Sequence, residues 1–542
     1  MATQPASRAH AAAGERASWL PLIAIGAAQV VLIFNVTALK VSIDAIADAL
    51  SLPASTLKTA IVVYFGVAAA LTLPGAKLGA ALGPRPVFRA AMALFAVAMA
   101  AMAASGGAFA LIAAQVGAGI ASAALVPALV ALVASEYRDA QRARALGWLG
   151  ALQAMGIVPG IAVAGALATW PGWRYTFGAL AVAAALVCLL GGRLASHHRR
   201  SAEGFDVVGA ALVAAAVLAI GIGADKLLEW GVLRAAPAAP ASVAAISPAL
   251  IVMAAGALLM KGFVSWEWKC RARGRPLLLA PEVLATPTKR STLLSIFAIG
   301  LIGAGFTFLI PLYIEVVQGR SSVYTALALM PFALAGFVAA LAVGRLRARG
   351  APLRVVRYGF LVVAAGAALL GVTVRNDWSD AMVIAGLALA GLGEGALTTY
   401  LFDALVARAP RPLADDVAPL CGAASSLAAG VGTALMGALA IALLGANVHR
   451  ELAANPAIHE ALRVEVNLDS VRFVSNDRLR AVLARTAATP EQVEEAVRIN
   501  TAARLRALKL SFFALALFAA IAFLPARRVP TLASAPPAAG PW

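Results

Sequence analysis

The chain has 542 residues, of which 62% are hydrophobic and only 13% are charged. A soluble domain is about 45–50% apolar and about 25% charged, so this composition excludes a water-soluble protein of this size. Backbone groups in lipid must be hydrogen-bonded internally, which leaves helices or a closed barrel. Because the apolar runs are continuous rather than alternating, they predict a bundle of transmembrane helices.

The formal net charge of +18 does not indicate nucleic-acid binding, since Lys and Arg fall mostly in short segments between apolar runs. The three cysteines, Cys188, Cys270 and Cys421, form no CxxC pair, and the five histidines lie outside the apolar runs. The sequence therefore predicts no disulfide framework, no metal site and no cofactor.

A transmembrane helix needs about 20 mostly apolar residues. Fourteen spans are predicted, at 19–43, 56–76, 87–105, 108–134, 143–168, 174–194, 205–224, 245–266, 291–316, 322–344, 353–373, 380–407, 418–445 and 505–526. The weakest boundaries are the short seventh span and the tight break at Ser105–Gly107. Twelve spans would mean that the seventh and eighth do not cross.

Positive charge alternates between the segments that join these spans. If both termini are cytoplasmic, the short outer loops hold only Lys58, Arg174, Lys226, Arg234, Arg320 and Arg375. The positive-inside rule therefore predicts a multi-pass protein of the plasma (inner) membrane with both ends inside. The long outer loop, 446–504, is predicted to form a small cap. Thr489–Gln492 indicates a capping box that starts a helix running into the last span, and 464–474 alternates like a short hairpin.

Six motifs carry a resemblance to a known family. They are FNVTALKVSID at 34–44, KLGAALGPR at 77–85, AQVGAG at 114–119 followed by Pro127, GIVPG at 156–160 followed by Ala164-Gly165, GWRYTF at 172–177 and FDVVG at 205–209. In this order they resemble the major facilitator superfamily, in particular the fourteen-helix drug:proton antiporters of the EmrB/QacA type.

The resemblance implies an all-α major facilitator fold, with two six-helix halves around a central cavity and two extra central helices. The implied division is a cytoplasmic N-terminus at 1–18, an N-terminal half at 19–200, the extra helices with a linker at 201–290, a C-terminal half at 291–526 and a tail at 527–542. In the helix 5 motif, Gly156, Pro159, Gly160 and Gly165 are similar to the family's antiporter signature, although such glycines also permit tight helix packing whatever the substrate.

This chain departs from the family at positions that serve proton coupling and the cytoplasmic gate. Asn35 stands where the family has an acidic residue, Ala80 and Ala81 replace the loop's Asp and Arg, and Gln115 replaces a buried Arg. These departures leave uniport, or a sensor or partner role without coupling, as alternatives to antiport.

Ionisable residues inside a membrane are costly and mark functional positions. Glu394 lies 14 residues into the twelfth span, among Gly391, Gly393 and Gly395, and is the candidate for proton coupling. The glycines allow either close packing or a break in the helix. A structural carboxyl bonded to a neighbouring helix is the alternative.

Lys40, Asp44 and Glu315 are candidates for an outer gate. Lys40 and Asp44 are four residues apart, so a local pair and snorkelling are the simpler interpretation. By the family scheme, Lys40 can instead pair with Glu315 across the two halves. Neutral polar or aromatic residues within spans are candidates for the substrate cavity or for bonding between helices: Gln29, Asn35, Tyr64, Gln115, Gln153 and Tyr400.

Together these features predict a secondary active transporter, not an enzyme, that exports small amphipathic or organic compounds by alternating access in exchange for protons. No HExxH, GxSxG or phosphate-binding loop is present. The partners expected are membrane lipid, protons and a small-molecule substrate, with no nucleic acid. The protein is expected to work as a monomer, and a periplasmic adaptor remains an option.

Overall fold

A computed structural model describes residues 18–529 apart from 53, most of 138–155, 195–203, 228, most of 232–245, 349–357, 376, 407–413 and 455–488 (Arg480 excepted). Within these residues the fold is helical, and one isolated bridge joins Arg234 to Ile246. The helices are α1 Leu20–Val41, α2 Ile43–Leu50, α3 Ala54–Leu82, α4 Pro84–Ala103, α5 Ala108–Glu136, α6 Ile157–Leu167, α7 Trp173–Leu190, α8 Val207–Lys226, α9 Pro248–Ala272, α10 Pro287–Pro311, α11 Ser322–Ala348, α12 Gly359–Thr373, α13 Ala381–Val406, α14 Ala414–Ala454 and α15 Pro490–Ala526.

The described part contains 12 helices that are long and apolar enough to cross a membrane, and α12 is a shorter apolar helix. The predicted fifth span lies partly outside the described residues. Its last part is α6, which is followed by a π-helical turn at Ala168–Gly172. Leu189, Leu258 and Leu517 are more than 60% exposed, as lipid-facing side chains are. The prediction of an all-α membrane protein is confirmed, and the number fourteen stays a prediction.

Local signals in the sequence account for several helix boundaries. The break predicted at Ser105–Gly107 separates α4 from α5. The predicted capping box is present: Thr489 accepts from the backbone of Gln492, whose side chain accepts in return, and α15 runs without interruption from Pro490 to Ala526. Helices α14 and α15, with 41 and 37 residues, extend well beyond the spans predicted for them. The hairpin predicted at 464–474 lies outside the described residues.

The helices pack in a pattern that brings distant parts of the sequence together. Helix α14 lies along α3, α8 contacts both of these helices, and α11 packs against α6. At successive levels a Cβ added to Gly422, Gly430 or Gly437 would lie 3.5, 3.1 and 3.0 Å from side-chain atoms of Thr72, Phe65 and Lys58. Helices α3 and α14 are therefore antiparallel neighbours over most of their length.

The glycines around Glu394 serve close packing. Helix α13 is continuous through them, and a Cβ added to Gly391 or Gly395 would collide with the backbone oxygens of Phe332 and Gly336 on α11. The two backbones are therefore in direct contact, which fixes the position of α13. Of the two interpretations left open by the sequence, the structure has close packing and not a helix break.

Candidate functional site

Glu394 points from α13 towards α10. A Cβ added to Gly303 of α10 would collide with Glu394 Oε1 and lie 2.9 Å from its Cδ. The Oε2 atom is buried and has no hydrogen-bond partner in the described part of the chain. The absence of a side chain at Gly303 therefore provides the space that the carboxyl occupies.

Lys40 reaches the same face of α10 from α1. Its Nζ donates a hydrogen bond to Thr307 Oγ1 at 3.1 Å, and Thr307 Oγ1 donates to the Gly303 oxygen at 2.9 Å. Lys40 is only 9% exposed, and its charge and that of Glu394 attract each other. The Lys40 ammonium group from α1 and the Glu394 carboxyl group from α13 therefore contact α10 one helical turn apart.

The other two gate candidates follow these residues along the chain: Asp44 is four residues after Lys40, and Glu315 is eight residues after Thr307. Glu315 is in a π-helical turn, Leu312–Val317, that continues α10, and its Oε1 atom is buried. The pairing of Lys40 with Glu315 stays a prediction, as does that with Asp44, which is in α2 and whose side chain is outside the described set.

Two of the cavity candidates, Tyr64 of α3 and Asn35 of α1, meet next to α5. The Tyr64 hydroxyl faces the side chains of Asn35 and Ser122. Asn35 and Gln115 are 1% and 0% exposed. The Gln115 amide, on α5, has no hydrogen-bond partner in the part of the chain described. Buried amides without partners are uncommon in proteins and call for an explanation.

The glycines of the helix 5 motif hold α6 against α1. A Cβ on Gly160 would lie 2.8 Å from Thr37 Oγ1, and one on Gly156 would lie 3.1 Å from Ile33 Cδ1. Gly165 is buried, and the side chain of Pro159 is outside the described set. Of the remaining cavity candidates, Gln29 is partly buried, Tyr400 is 1% exposed, and Gln153 lies outside the described residues.

Sequence reasoning missed a buried ion pair. Lys58, counted with the outer loops, lies in α3, and its Nζ is 2.8 Å from Asp225 Oδ1 in the last turn of α8. The two residues are 9% and 5% exposed. Lys58 Cδ also lies 3.0 Å from the position of a Cβ on Gly437 of α14. An aspartate next to the end of an apolar helix was the available signal, but its partner was not identifiable.

A second missed cation is Arg504 in α15, which the sequence assigned to the end of the outer loop. It is 1% exposed and lines a small pocket with Leu309, Leu312, Tyr313, Ala440, Ala507 and Leu508. Its charge faces Tyr313. The signal for its burial was the capping box, which places residue 504 inside a helix rather than in a loop.

A comparison with protein families identifies this architecture. The family model described as Major Facilitator Superfamily matches residues 25–433. The chain belongs to the Major Facilitator Superfamily. Its family and fold are those of membrane transporters, which are not enzymes.

Relatives within the Major Facilitator Superfamily include exporters of antibiotics and drugs. The chain is 28% identical over 434 residues to the multidrug efflux pump LfrA of Mycolicibacterium smegmatis, covering 80% of this chain and 82% of that one. It is 26% identical over 447 residues to a probable actinorhodin transporter of Streptomyces coelicolor, covering 79% and 73%. It is 27% identical over 453 residues to a tetracenomycin C resistance and export protein of Streptomyces glaucescens, covering 82% and 80%.

The fold is also similar to a solved major facilitator structure. A bacterial homolog to the human lysosomal transporter Spinster, in an inward-facing and occupied conformation, superposes with a TM-score of 0.59 at 14% identity. The similarity covers 97% of both chains. At this identity it shows the fold alone.

Proposed function

We propose that this chain is a proton-driven exporter of small organic compounds, of the fourteen-helix EmrB/QacA-like type, in the plasma membrane with both termini cytoplasmic. The proposal rests on one observation: Lys40 from α1 and Glu394 from α13 contact α10 one helical turn apart, at Thr307 and Gly303. The efflux proteins among its relatives support export of antibiotic-like compounds, and the charge pattern of the loops supports the orientation.

Glu394 is the proton-binding group in this proposal. Its Oε2 is buried without a hydrogen bond from the described residues, and burial penalises the charged form of a carboxyl. The carboxyl can therefore lose and regain a proton as water reaches it from one side or the other. One proton crossing 100 mV releases about 2.3 kcal/mol, which is the energy available to drive a substrate out.

Lys40 couples protonation of Glu394 to the relative position of the two halves. In the predicted division, α1 belongs to the N-terminal half and α13 to the C-terminal half, so the attraction between Lys40 and an ionised Glu394 acts across the halves. Protonation of Glu394 removes this attraction and favours their separation at this level. Release of the proton restores it and favours closure, which is the alternation that exchange requires.

In this proposal, the pair of Lys40 and Glu394 takes over the role of the charged family residues that this chain lacks. Asn35 and Gln115 are neutral where the family carries an acid and an arginine, so the N-terminal half lacks that charge pair. We assign proton binding to α13 instead, and we assign the Asn35, Tyr64 and Gln115 side chains to binding polar groups of the substrate. The buried Gln115 amide, which has no hydrogen-bond partner among the described residues, supports this assignment.

The test is transport in reconstituted vesicles with and without a pH gradient. Puromycin is a suitable first probe, because a relative from Streptomyces alboniger is named as a puromycin resistance protein, and susceptibility profiling of a deletion strain identifies further substrates. We expect gradient-driven accumulation by the wild type and its loss in Glu394→Gln. The matched control is Glu494→Gln, an exposed carboxyl paired with Arg480 at 2.9 Å, which should transport normally.

A second candidate function is favoured by the neutral Asn35 and Gln115, namely uniport or sensing without proton coupling. It predicts equal substrate flux in the presence and absence of the gradient. Normal gradient-driven transport by Glu394→Gln would rule out Glu394 as the coupling group.

A further inference from the structure

A second buried carboxyl lies far from Glu394 along the chain, near the end of α9. Glu267 is 1% exposed, and neither of its oxygens has a hydrogen-bond partner among the described residues. The backbone N–H groups of Leu278 and Leu279 face the carboxyl. A buried carboxylate that lacks partners is strongly disfavoured in its ionised form.

Asp206 faces the same space from the start of α8. It is the N-cap of that helix: its Oδ1 accepts from Gly209 N at 3.0 Å, and its Oδ2 accepts from Trp266 Nε1 at 3.0 Å. A Cβ added to Gly209 would collide with Asp206 Oδ2 and lie 2.9 Å from Glu267 Oε1. Both carboxyl groups therefore border one small space beside the Gly209 backbone.

The other charges around this space come from three neighbouring segments. Lys77, near the end of α3, attracts Glu267. Cys270 follows on α9 and is faced by Arg273 and Arg275. Glu282, after α9, is paired with Arg271 at 2.9 Å. Lys77 is thus the cation that faces Glu267 from a different helix.

We propose that Glu267 and Asp206 form a second proton-binding site, which controls the end of α3 through Lys77. The proposal rests on the proposed function, since it adds a second carboxyl site to proton-coupled transport. Two carboxylates in one buried space do not readily ionise together. Asp206 already accepts two hydrogen bonds that stabilise its charge, so Glu267 is the group that takes up the proton.

Protonation of Glu267 acts on the end of α3 through Lys77. It opens the KLGAALGPR segment, where Ala80 and Ala81 stand in place of the acid and arginine of the family motif. Glu267 supplies from α9 the negative charge that this segment lacks. When Glu267 binds a proton, its attraction for Lys77 disappears, and the end of α3 is released on the side that the charge pattern assigns to the cytoplasm.

Trp266 offers a direct measurement, because its indole N–H is bonded to Asp206. Intrinsic fluorescence of the full-length protein in detergent is titrated with pH, and the trace of Trp266→Phe is subtracted. We expect a pH-dependent step from Trp266 in the wild type and its loss in Glu267→Gln. Glu282→Gln, after α9 and partly buried, removes a carboxyl that is already paired with Arg271 at 2.9 Å and should keep the step. An unchanged step in folded Glu267→Gln would overturn the proposal, and so would an equal loss in Glu282→Gln.

Transport provides the second readout. In vesicles, puromycin transport by Glu267→Gln should depend less on the pH of the compartment that the Lys77 end of α3 faces. Transport by this variant should still require the pH gradient and Glu394. If Glu267→Gln does not fold, Glu267→Asp keeps the carboxyl and should shift the fluorescence step instead of abolishing it; an unshifted step counts against the site. A wild type without gradient-driven transport contradicts the proposed function, whereas the fluorescence titration tests this site separately.

Discussion

Lys58 Nζ and Asp225 Oδ1 lie 2.8 Å apart, so a buried ion pair joins the beginning of α3 to the end of α8. Removal of one member of a buried pair leaves the other charge without compensation, which destabilises proteins by about 3–5 kcal/mol. We therefore expect Asp225→Asn to lower the thermal unfolding midpoint in detergent.

The control for this pair is Glu229→Gln. Glu229 forms an exposed pair with Lys226 at 2.7 Å, and exposed pairs contribute about 0–1 kcal/mol. The double variant Lys58→Met, Asp225→Leu should recover most of the lost stability. Equal midpoints for Asp225→Asn and Glu229→Gln would show that the buried pair does not hold α8 in place.

Gly303→Ala tests the contact between α10 and α13. The added methyl would collide with Glu394 Oε1, and overpacking of this kind costs about 1–3 kcal/mol. We expect a folded protein whose gradient-driven puromycin transport is strongly reduced, as judged by vesicle assays after size-exclusion chromatography. Gly221→Ala in α8 is the matched control, since a Cβ there has no neighbour within 4 Å. Unimpaired transport by Gly303→Ala would mean that the carboxyl can move freely.

Lys40→Met tests the charge that faces Glu394. Loss of a nearby positive charge favours the protonated form of a carboxyl, so the pH at which transport is half-maximal should move upwards. Thr307→Val keeps the lysine charge and removes only its hydrogen bond, and a smaller movement in the same direction is expected. A downward movement in Lys40→Met would contradict the assigned attraction.

Gln115→Met separates a structural amide from one that binds substrate. An apolar side chain of similar shape avoids the desolvation of an unpartnered buried amide, so stability should be unchanged or higher. If Gln115 binds substrate, the KM for puromycin rises while the unfolding midpoint does not fall. A lower midpoint with normal transport would assign the residue to packing.

The membrane fold followed from the sequence because lipid imposes one simple rule on long stretches of residues. Apolar runs predicted the helices, and the Gly pair at Gly106-Gly107 and the capping box at Thr489 predicted where α5 and α15 begin. The contacts of Glu394 did not follow, because a glycine 91 positions earlier provides its space and nothing in the local sequence of α13 indicates this.

The charged residues that were misplaced share one physical cause. Lys58 and Arg504 stand near predicted span ends, where snorkelling to water is the usual expectation. Burial instead depends on neighbours from other helices, Asp225 for Lys58 and Tyr313 for Arg504. Hydropathy within one window contains no information about such neighbours.

The lengths of α14 and α15 have a practical consequence for imaging. At 1.5 Å per residue they run about 60 Å and 55 Å, roughly twice the thickness of the hydrocarbon core. Leu444 on α14 packs with Ala503 and Ala507 on α15, so the two helices are in contact at the level where they leave the predicted spans. An antibody fragment raised against the projecting ends of these two helices would give electron microscopy a fiducial outside the detergent belt.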